Sequence, residues 1–174
     1  DLAIPKMPLE NVATAIAALR ASGLNFTPAA LQEVILHANL PGRFQIIGNN
    51  PTTILDVAHN PHAAAYLAER LRKFPIKGNY RFVIGMLINK DIKGTVDHLK
   101  TLSDKWYCCG VQAGPRSTKP EDVAQYLPQA QKFADILAGW EAAKRDVEEG
   151  DVIVVCGSFF TVAPVLNALN SESE

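Results

Sequence analysis

Four times between residues 52 and 174, a short apolar run with hardly a polar break gives way to a segment with helical periodicity: TTILDV (52–57), YRFVIGML (80–87), KWYCCG (105–110) and DVIVVC (151–156). A sheet with one wet face would alternate apolar and polar residues. Continuous apolar runs belong to strands covered on both faces, and helices between them supply that cover. A fifth run, FQIIG (44–48), is joined to TTILDV by the turn-rich NNP, a hairpin-like connection that pairs the two antiparallel. The pattern predicts a doubly wound α/β fold: a mostly parallel sheet with one antiparallel strand and helices on both faces.

The intervening helices are expected at 61–73, 91–103, 118–127 and 135–149, the last ending before Gly150. Thr118 and Glu121 stand at capping-box spacing for the third of these. A final helix carries Val165, Leu166 and Leu169, and Pro164 is expected to keep it from starting much before Thr161. The polar SESE tail is expected to fray. Ahead of the strands, residues 8–22 place Val12, Ile16 and Leu19 on one helical face, and Thr27 caps a second short helix that opens with Pro28. The Pro-Gly pair of NLPGRF sets a boundary near Leu40, dividing a helical arm, 1–40, from a domain, 41–174.

With 174 residues the chain has room for one full domain and an appendage. A formal net charge of -1 gives no electrostatic case for nucleic acid or an anionic membrane. No apolar run approaches the roughly 20 residues that span a bilayer, and the N-terminus lacks signal-peptide features, so a cytoplasmic location is expected. Adjacent Cys108 and Cys109 cannot form an ordinary disulfide with each other, and Cys156 lies far off, so buried free thiols are expected. There is no GxxxxGK[ST] phosphate loop, no GxGxxG after a strand and no His/Cys cluster at metal-ligand spacing. A chain of this kind cannot hold a nucleoside triphosphate and its magnesium unaided.

In such sheets ligands gather at the carboxyl ends of strands. One corner there is LDVAHNP (55–61): Asn60 and Pro61 begin a helix, which leaves Asp56 and His59 unexplained by helix initiation. Asp56 suits a ribose hydroxyl and His59 a carboxylate or phosphate; a surface carboxylate and a packed histidine fit the spacing equally. A second corner is CGSFF (156–160), expected to expose backbone N–H groups and the Ser158 hydroxyl as an anion or carboxylate seat, though simple turn chemistry fits the loop equally. No base stands near Cys156, which argues against a thiol nucleophile. The loops INKD (88–91) and AGPRSTK (113–119) bring Lys90, Asp91, Arg116 and Lys119 to the same rim, where a solvated charge cluster is the favoured reading of each.

LPGRFQII, ILDVAHNPHAAAYL and VVCGSFFTVAPVL resemble, in order and spacing, the C-terminal domain of the bacterial dihydrofolate synthase/folylpolyglutamate synthase family, within the Mur ligase superfamily; the likeness covers nearly the whole chain. The resemblance implies a six-stranded, Rossmann-like C-terminal domain and, for the whole protein, an ATP-dependent amide ligase. Such a ligase phosphorylates a dihydropteroate or folate carboxylate, and the amine of L-glutamate then attacks the acyl phosphate. Carried over by position, the resemblance implies adenine contact by Asn11, phosphate contact by Arg43 and ribose contact by Asp56, with His59 and Ser158 near the incoming glutamate. It implies that the P-loop and the Mg2+ ligands lie in an N-terminal domain outside this chain, which opens on Asp1 rather than methionine. The first 24 or so residues would then be the last helix of that part, and the fragment alone is expected to be inactive and to hold no catalytic residue or metal ligand. Val57 departs from the glycine common among relatives. The rival expectation is a non-catalytic flavodoxin-like module that binds a small anion or a protein.

Overall fold

The computed structural model describes residues 7–38, 40–48 and 51–171. It divides the chain into two compact units, Asp1–Arg43 and Phe44–Glu174. The first holds α1 (Leu9–Ala21) and α2 (Pro28–His37). Pro8 is the N-cap of α1 rather than its first helical residue, and the Thr27 hydroxyl caps α2 by accepting from Ala30 N–H at 3.2 Å. The turn expected at 49–51 lies mostly outside the described residues, and of the SESE tail only Ser171 lies within them.

The second unit is a six-stranded sheet in the order β1-β2-β6-β3-β4-β5. Its strands are β1 (Gln45–Ile47), β2 (Thr52–Asp56), β3 (Tyr80–Ile84), β4 (Lys105–Cys109), β5 (Gln131–Phe133) and β6 (Val152–Cys156). β1 pairs antiparallel with β2, and every other pairing is parallel, as the apolar runs predict. The helices are α3 (Pro61–Lys73), α4 (Ile92–Leu99), α5 (Pro120–Ala124), α6 (Ile136–Arg145) and α7 (Phe159–Ser171).

The strands are apolar throughout because successive side chains enter different cores. On β6, Val152, Val154 and Cys156 join one buried cluster with Leu67 and Leu71 of α3 and Val96 and Leu99 of α4. Ile153 and Val155 join the other, with Trp140 of α6 and Val162 and Val165 of α7. Completely burying a valine or leucine side chain contributes about 1.5–3 kcal/mol, so a strand with two dry faces gains about twice what a half-exposed one does.

Three local expectations are corrected. Thr118 does not cap a helix: its hydroxyl donates to the Met86 carbonyl at 2.6 Å and its backbone bridges Val111, while Lys119 N–H bonds the Asp122 carboxylate at 2.7 Å to start α5 two residues later. Helix 135–149 is shorter, Ile136–Arg145, with Asp135 accepting from Ala138 N–H at 2.9 Å as its cap. α7 starts at Phe159, ahead of Pro164, which lies inside it. The Ser158 hydroxyl accepts from Thr161 N–H at 3.1 Å and fixes the start early. The proline costs the helix one N–H donor within its second turn.

Candidate functional site

Each parallel strand delivers the chain to the same edge of the sheet, so the helices that follow begin there and turn their unpaired N–H groups toward it. β2 leads to α3, β3 to α4, β4 to α5, and β6 to α7. At this rim β2 and β6 are neighbours, with Asp56 level with Cys156. The two corners singled out in the sequence therefore sit side by side.

Asp56 closes β2 and is 9% exposed. Its Oδ2 accepts from Phe44 N–H at 2.9 Å and its Oδ1 from Ala58 N–H at 2.8 Å, so the carboxylate ties β2, the turn after it and the start of β1 together. Two such charge-assisted bonds are each stronger than a neutral pair. His59 is half-buried, and its Nδ1 lies 2.9 Å from the Val57 carbonyl. A carbonyl only accepts, so Nδ1 carries the proton in that bond, and Nε2 is the ring atom left for another partner. Asn60 caps α3 through Ala63 N–H at 2.9 Å, and Pro61 takes the first helical position, as expected. Val57 is buried completely within the second core.

At the second corner the expected exposure of the Ser158 hydroxyl is corrected. Ser158 is 4% exposed, and its Oγ lies 2.7 Å from the Thr161 hydroxyl and 3.3 Å from the Gly85 carbonyl. What this corner turns to the rim is the backbone start of α7. Gly157 makes the approach possible: its φ is +115°, and a Cβ there would stand 2.4 Å from the Gly85 carbonyl oxygen. Phe159 and Phe160, by contrast, are 60% and 42% exposed.

The loops after β3 and β4 do meet. Ile88 N–H donates to the Arg116 carbonyl at 3.2 Å, and the Arg116 guanidinium lies 5.8 Å from the Phe160 ring centroid. Asp91 is committed to capping α4 through Gly94 N–H at 2.8 Å, while Lys119 begins α5. The Lys90 side chain is half-buried with no hydrogen-bond or ion-pair partner among the described residues. A shallow cavity of about 250 Å³ at this rim is lined by Lys90, Asp91, Asp122 and Tyr126. Another of about 270 Å³ lies at the far edge of the sheet, by Thr52, Asp151 and Val152, where strands begin. Size does not separate the two; the helix starts favour the first.

The three cysteines are free and buried. Burial pushes the Cys108 thiol up to about 12 and pushes Cys109 and Cys156 higher still, so no thiolate nucleophile stands here. Among the described residues no three His, Cys, Asp or Glu side chains are placed to hold a metal ion. Asn11, on α1, and Arg43 are both exposed and belong to the first unit, whereas Asp56, His59 and Ser158 belong to the second. The sequence missed the pairing of Asp56 with Phe44 N–H and the role of Thr161, whose hydroxyl also bonds the Gly85 carbonyl.

Residues 42–159 match the family described as Mur ligase, glutamate ligase domain. The chain is 45% identical over 172 residues to the dihydrofolate synthase/folylpolyglutamate synthase of Escherichia coli K12, covering 99% of this chain and 40% of that protein. It is similar to a crystal structure of bifunctional folylpolyglutamate synthase/dihydrofolate synthase with Mn, AMPPNP and L-glutamate bound, at 45% identity and a TM-score of 0.90, covering 97% of this chain and 41% of that one. A Yersinia pestis enzyme of the same description, complexed with AMPPNP and Mn ion, matches at 45% identity and a TM-score of 0.87, covering 97% of this chain and 41% of its own. The chain thus spans about 40% of the length of the relatives it matches.

Proposed function

Because the chain belongs to the Mur ligase glutamate ligase domain family, we propose that it is the C-terminal part of an ATP-dependent ligase that adds L-glutamate to dihydropteroate and to folate. The observation that carries this reading is the pair of adjacent corners, Asp56–His59 and Gly157–Phe160, at the rim where the helices start. ATP, when bound, supplies a phosphoryl group to the pteroate or folate carboxylate, which turns a poor electrophile into one from which an amine displaces phosphate. Catalysis of that kind is chiefly positioning and neutralisation of charge.

The chain's own residues divide that work. Asn11 contacts the adenine, the Arg43 guanidinium a phosphate and Asp56 the ribose. His59 Nε2 and the N–H groups at the start of α7 beside Ser158 hold the glutamate, with the helix start facing a carboxylate. Ser158 contributes by fixing that start through Thr161 rather than by offering its hydroxyl. The divalent ion, Mg2+ in our reading, is held by residues outside this chain. A cytoplasmic location belongs to this reading, as the compartment of its ATP and folate substrates.

Replacing Arg43 by Ala in the full-length protein is expected to lower kcat/KM for ATP by on the order of 10²-fold or more. The melting temperature of this chain should stay unchanged, since the side chain is exposed. Wild-type turnover in that variant would remove the assignment.

A further inference from the structure

Ile88, Phe159 and Phe160 stand at the rim, all three exposed, and none of them joins either buried cluster. The start of α7 does not call for aromatic residues: the Ser158 hydroxyl accepts from Thr161 N–H, and Thr161, Val162 and Val165 supply the buried face. A single exposed apolar residue needs no explanation, but these belong to one linked group. Ile88 N–H donates to the Arg116 carbonyl at 3.2 Å, and the Arg116 guanidinium lies 5.8 Å from the Phe160 ring centroid.

The loop that carries Arg116 is tied down at several points. The Ser117 hydroxyl accepts from Ala113 N–H at 2.8 Å and donates to the Gly114 carbonyl at 2.8 Å, while Arg116 N–H bonds the Ala113 carbonyl at 3.2 Å. Thr118 then anchors the chain to the Met86 carbonyl. Two other cation–ring pairs among the described residues are closed: Arg70 lies 3.8 Å from the Phe44 centroid and Lys144 Nζ 3.9 Å from that of Trp140. At 5.8 Å Arg116 feels the Phe160 ring without covering it, so the ring keeps a free surface. The guanidinium has no ion-pair partner among the described residues and keeps its donors. An uncovered phenyl ring beside an unpaired guanidinium fits an aromatic carboxylate, ring against ring and charge against charge.

We propose that Phe160 and Arg116 form the seat of the benzoyl ring of the pteroate acceptor, and that Phe160 sets a preference for dihydropteroate over folate. This rests on the functional reading given above. In dihydropteroate the carboxylate that receives glutamate is bonded directly to the benzoyl ring. With the glutamate held at the start of α7, that ring lies against the first turn of the same helix, where Phe160 stands. In folate the reacting carboxylate ends a glutamyl side chain, which carries the benzoyl ring a whole residue further away and out of the seat. One contact thus separates two acceptors that share the same chemistry.

The test measures KM and kcat of the full-length protein for dihydropteroate and for tetrahydrofolate, at saturating ATP and glutamate, in wild type, Phe160→Ala, Phe160→Tyr and Arg116→Met. Phe160→Ala should raise KM for dihydropteroate about tenfold and change KM for tetrahydrofolate by less than about twofold. Phe160→Tyr keeps the ring and should stay within about twofold of wild type for both. Arg116→Met should raise KM for dihydropteroate about threefold with the same selectivity. Equal losses for both acceptors, as a structural role or a contact with another part of the protein would give, overturn the seat. A reversed preference does so too, as does a defect confined to KM for ATP. Should Phe160→Ala fold poorly, Phe160→Leu keeps the bulk without the aromatic face, and the same ratio decides. Wild-type protein that joins glutamate to neither acceptor refutes the functional reading and the seat with it; turnover of both, with an unmoved ratio in Phe160→Ala, refutes the seat alone.

Discussion

At the edge of the sheet opposite the rim, Arg81 of β3 donates through Nε to Asp151 Oδ2 at 2.6 Å, with both side chains at most 5% exposed. Asp151 also accepts from Asn79 N–H at 2.6 Å and Glu148 N–H at 3.1 Å, and Arg81 reaches the Tyr107 hydroxyl at 3.2 Å. Replacing Asp151 by Asn keeps the shape and removes the charge, which leaves a buried guanidinium facing an amide. Removing one partner of a buried pair costs about 3–5 kcal/mol. Arg81 retains Tyr107, and Glu148 stands 3.8 Å away as an exposed substitute, so the lower end applies, about 3 kcal/mol. For a chain of this length about 1 kcal/mol moves Tm by about 2–4 °C, so Tm should fall by about 6–12 °C. Urea unfolding followed by tryptophan fluorescence and far-UV circular dichroism should show the midpoint shift at unchanged slope. Arg81→Met combined with Asp151→Asn should recover at least half of the loss, because the stranded charge is gone. A loss below about 1 kcal/mol in Asp151→Asn, or no recovery in the pair, would refute the reasoning.

The same pair sets an acid limit. Burial pushes the Asp151 carboxyl up, but the N–H groups of Asn79 and Glu148 and the Arg81 guanidinium outweigh it and hold the group below its ordinary range. A carboxyl depressed in the folded state stabilises above its unfolded value of about 3.9, and that contribution is lost as pH falls from there toward the folded value. Unfolding free energy should therefore be insensitive to this group from about pH 5 to 8 and decline below about pH 4, with a shallower decline in Asp151→Asn, measured by urea titrations across pH. At the other edge, Gly157→Ala places a Cβ 2.4 Å from the Gly85 carbonyl at a φ of +115° and should cost at least about 3 kcal/mol in thermal melts. Gly114→Ala, at a φ of +58° in open space, should cost roughly 1–2 kcal/mol, and equal costs at both positions would contradict the steric account.

The central strands were legible because their burial is written in composition: a run such as VIVVC has only one comfortable place, between two helical layers. β5 had no such mark. Its three residues, Gln131, Lys132 and Phe133, are exposed or half-exposed, and they are a strand because Tyr107, Cys108 and Cys109 offer them an edge to pair with. Helix ends were legible where a side chain caps its own helix, as Asn60 does, and misread where it serves a distant strand, as Thr118 serves Met86 across 32 positions. The corner at Asp56 was visible as an acid at the end of an apolar run. That both of its oxygens are engaged by backbone N–H groups was not, because one donor lies 12 residues back and meets it through the β1–β2 hairpin. Ser158 shows the converse: a hydroxyl beside a strand end suggests a ligand, and three-residue spacing to Thr161 turns it inward as a cap.

In the strand order, β6 comes last along the chain yet lies in the middle of the sheet, between β2 and β3, which do not pair with each other. During synthesis the earlier strands can assemble only as two separate pieces, β1 with β2 and β3 with β4 and β5, each with an open flank of unpaired peptide groups and bare valines and leucines. The sheet closes only when VIVVC pairs with both of them. A chain ending after β5 would therefore leave the flanks of both pieces open rather than form a smaller closed sheet.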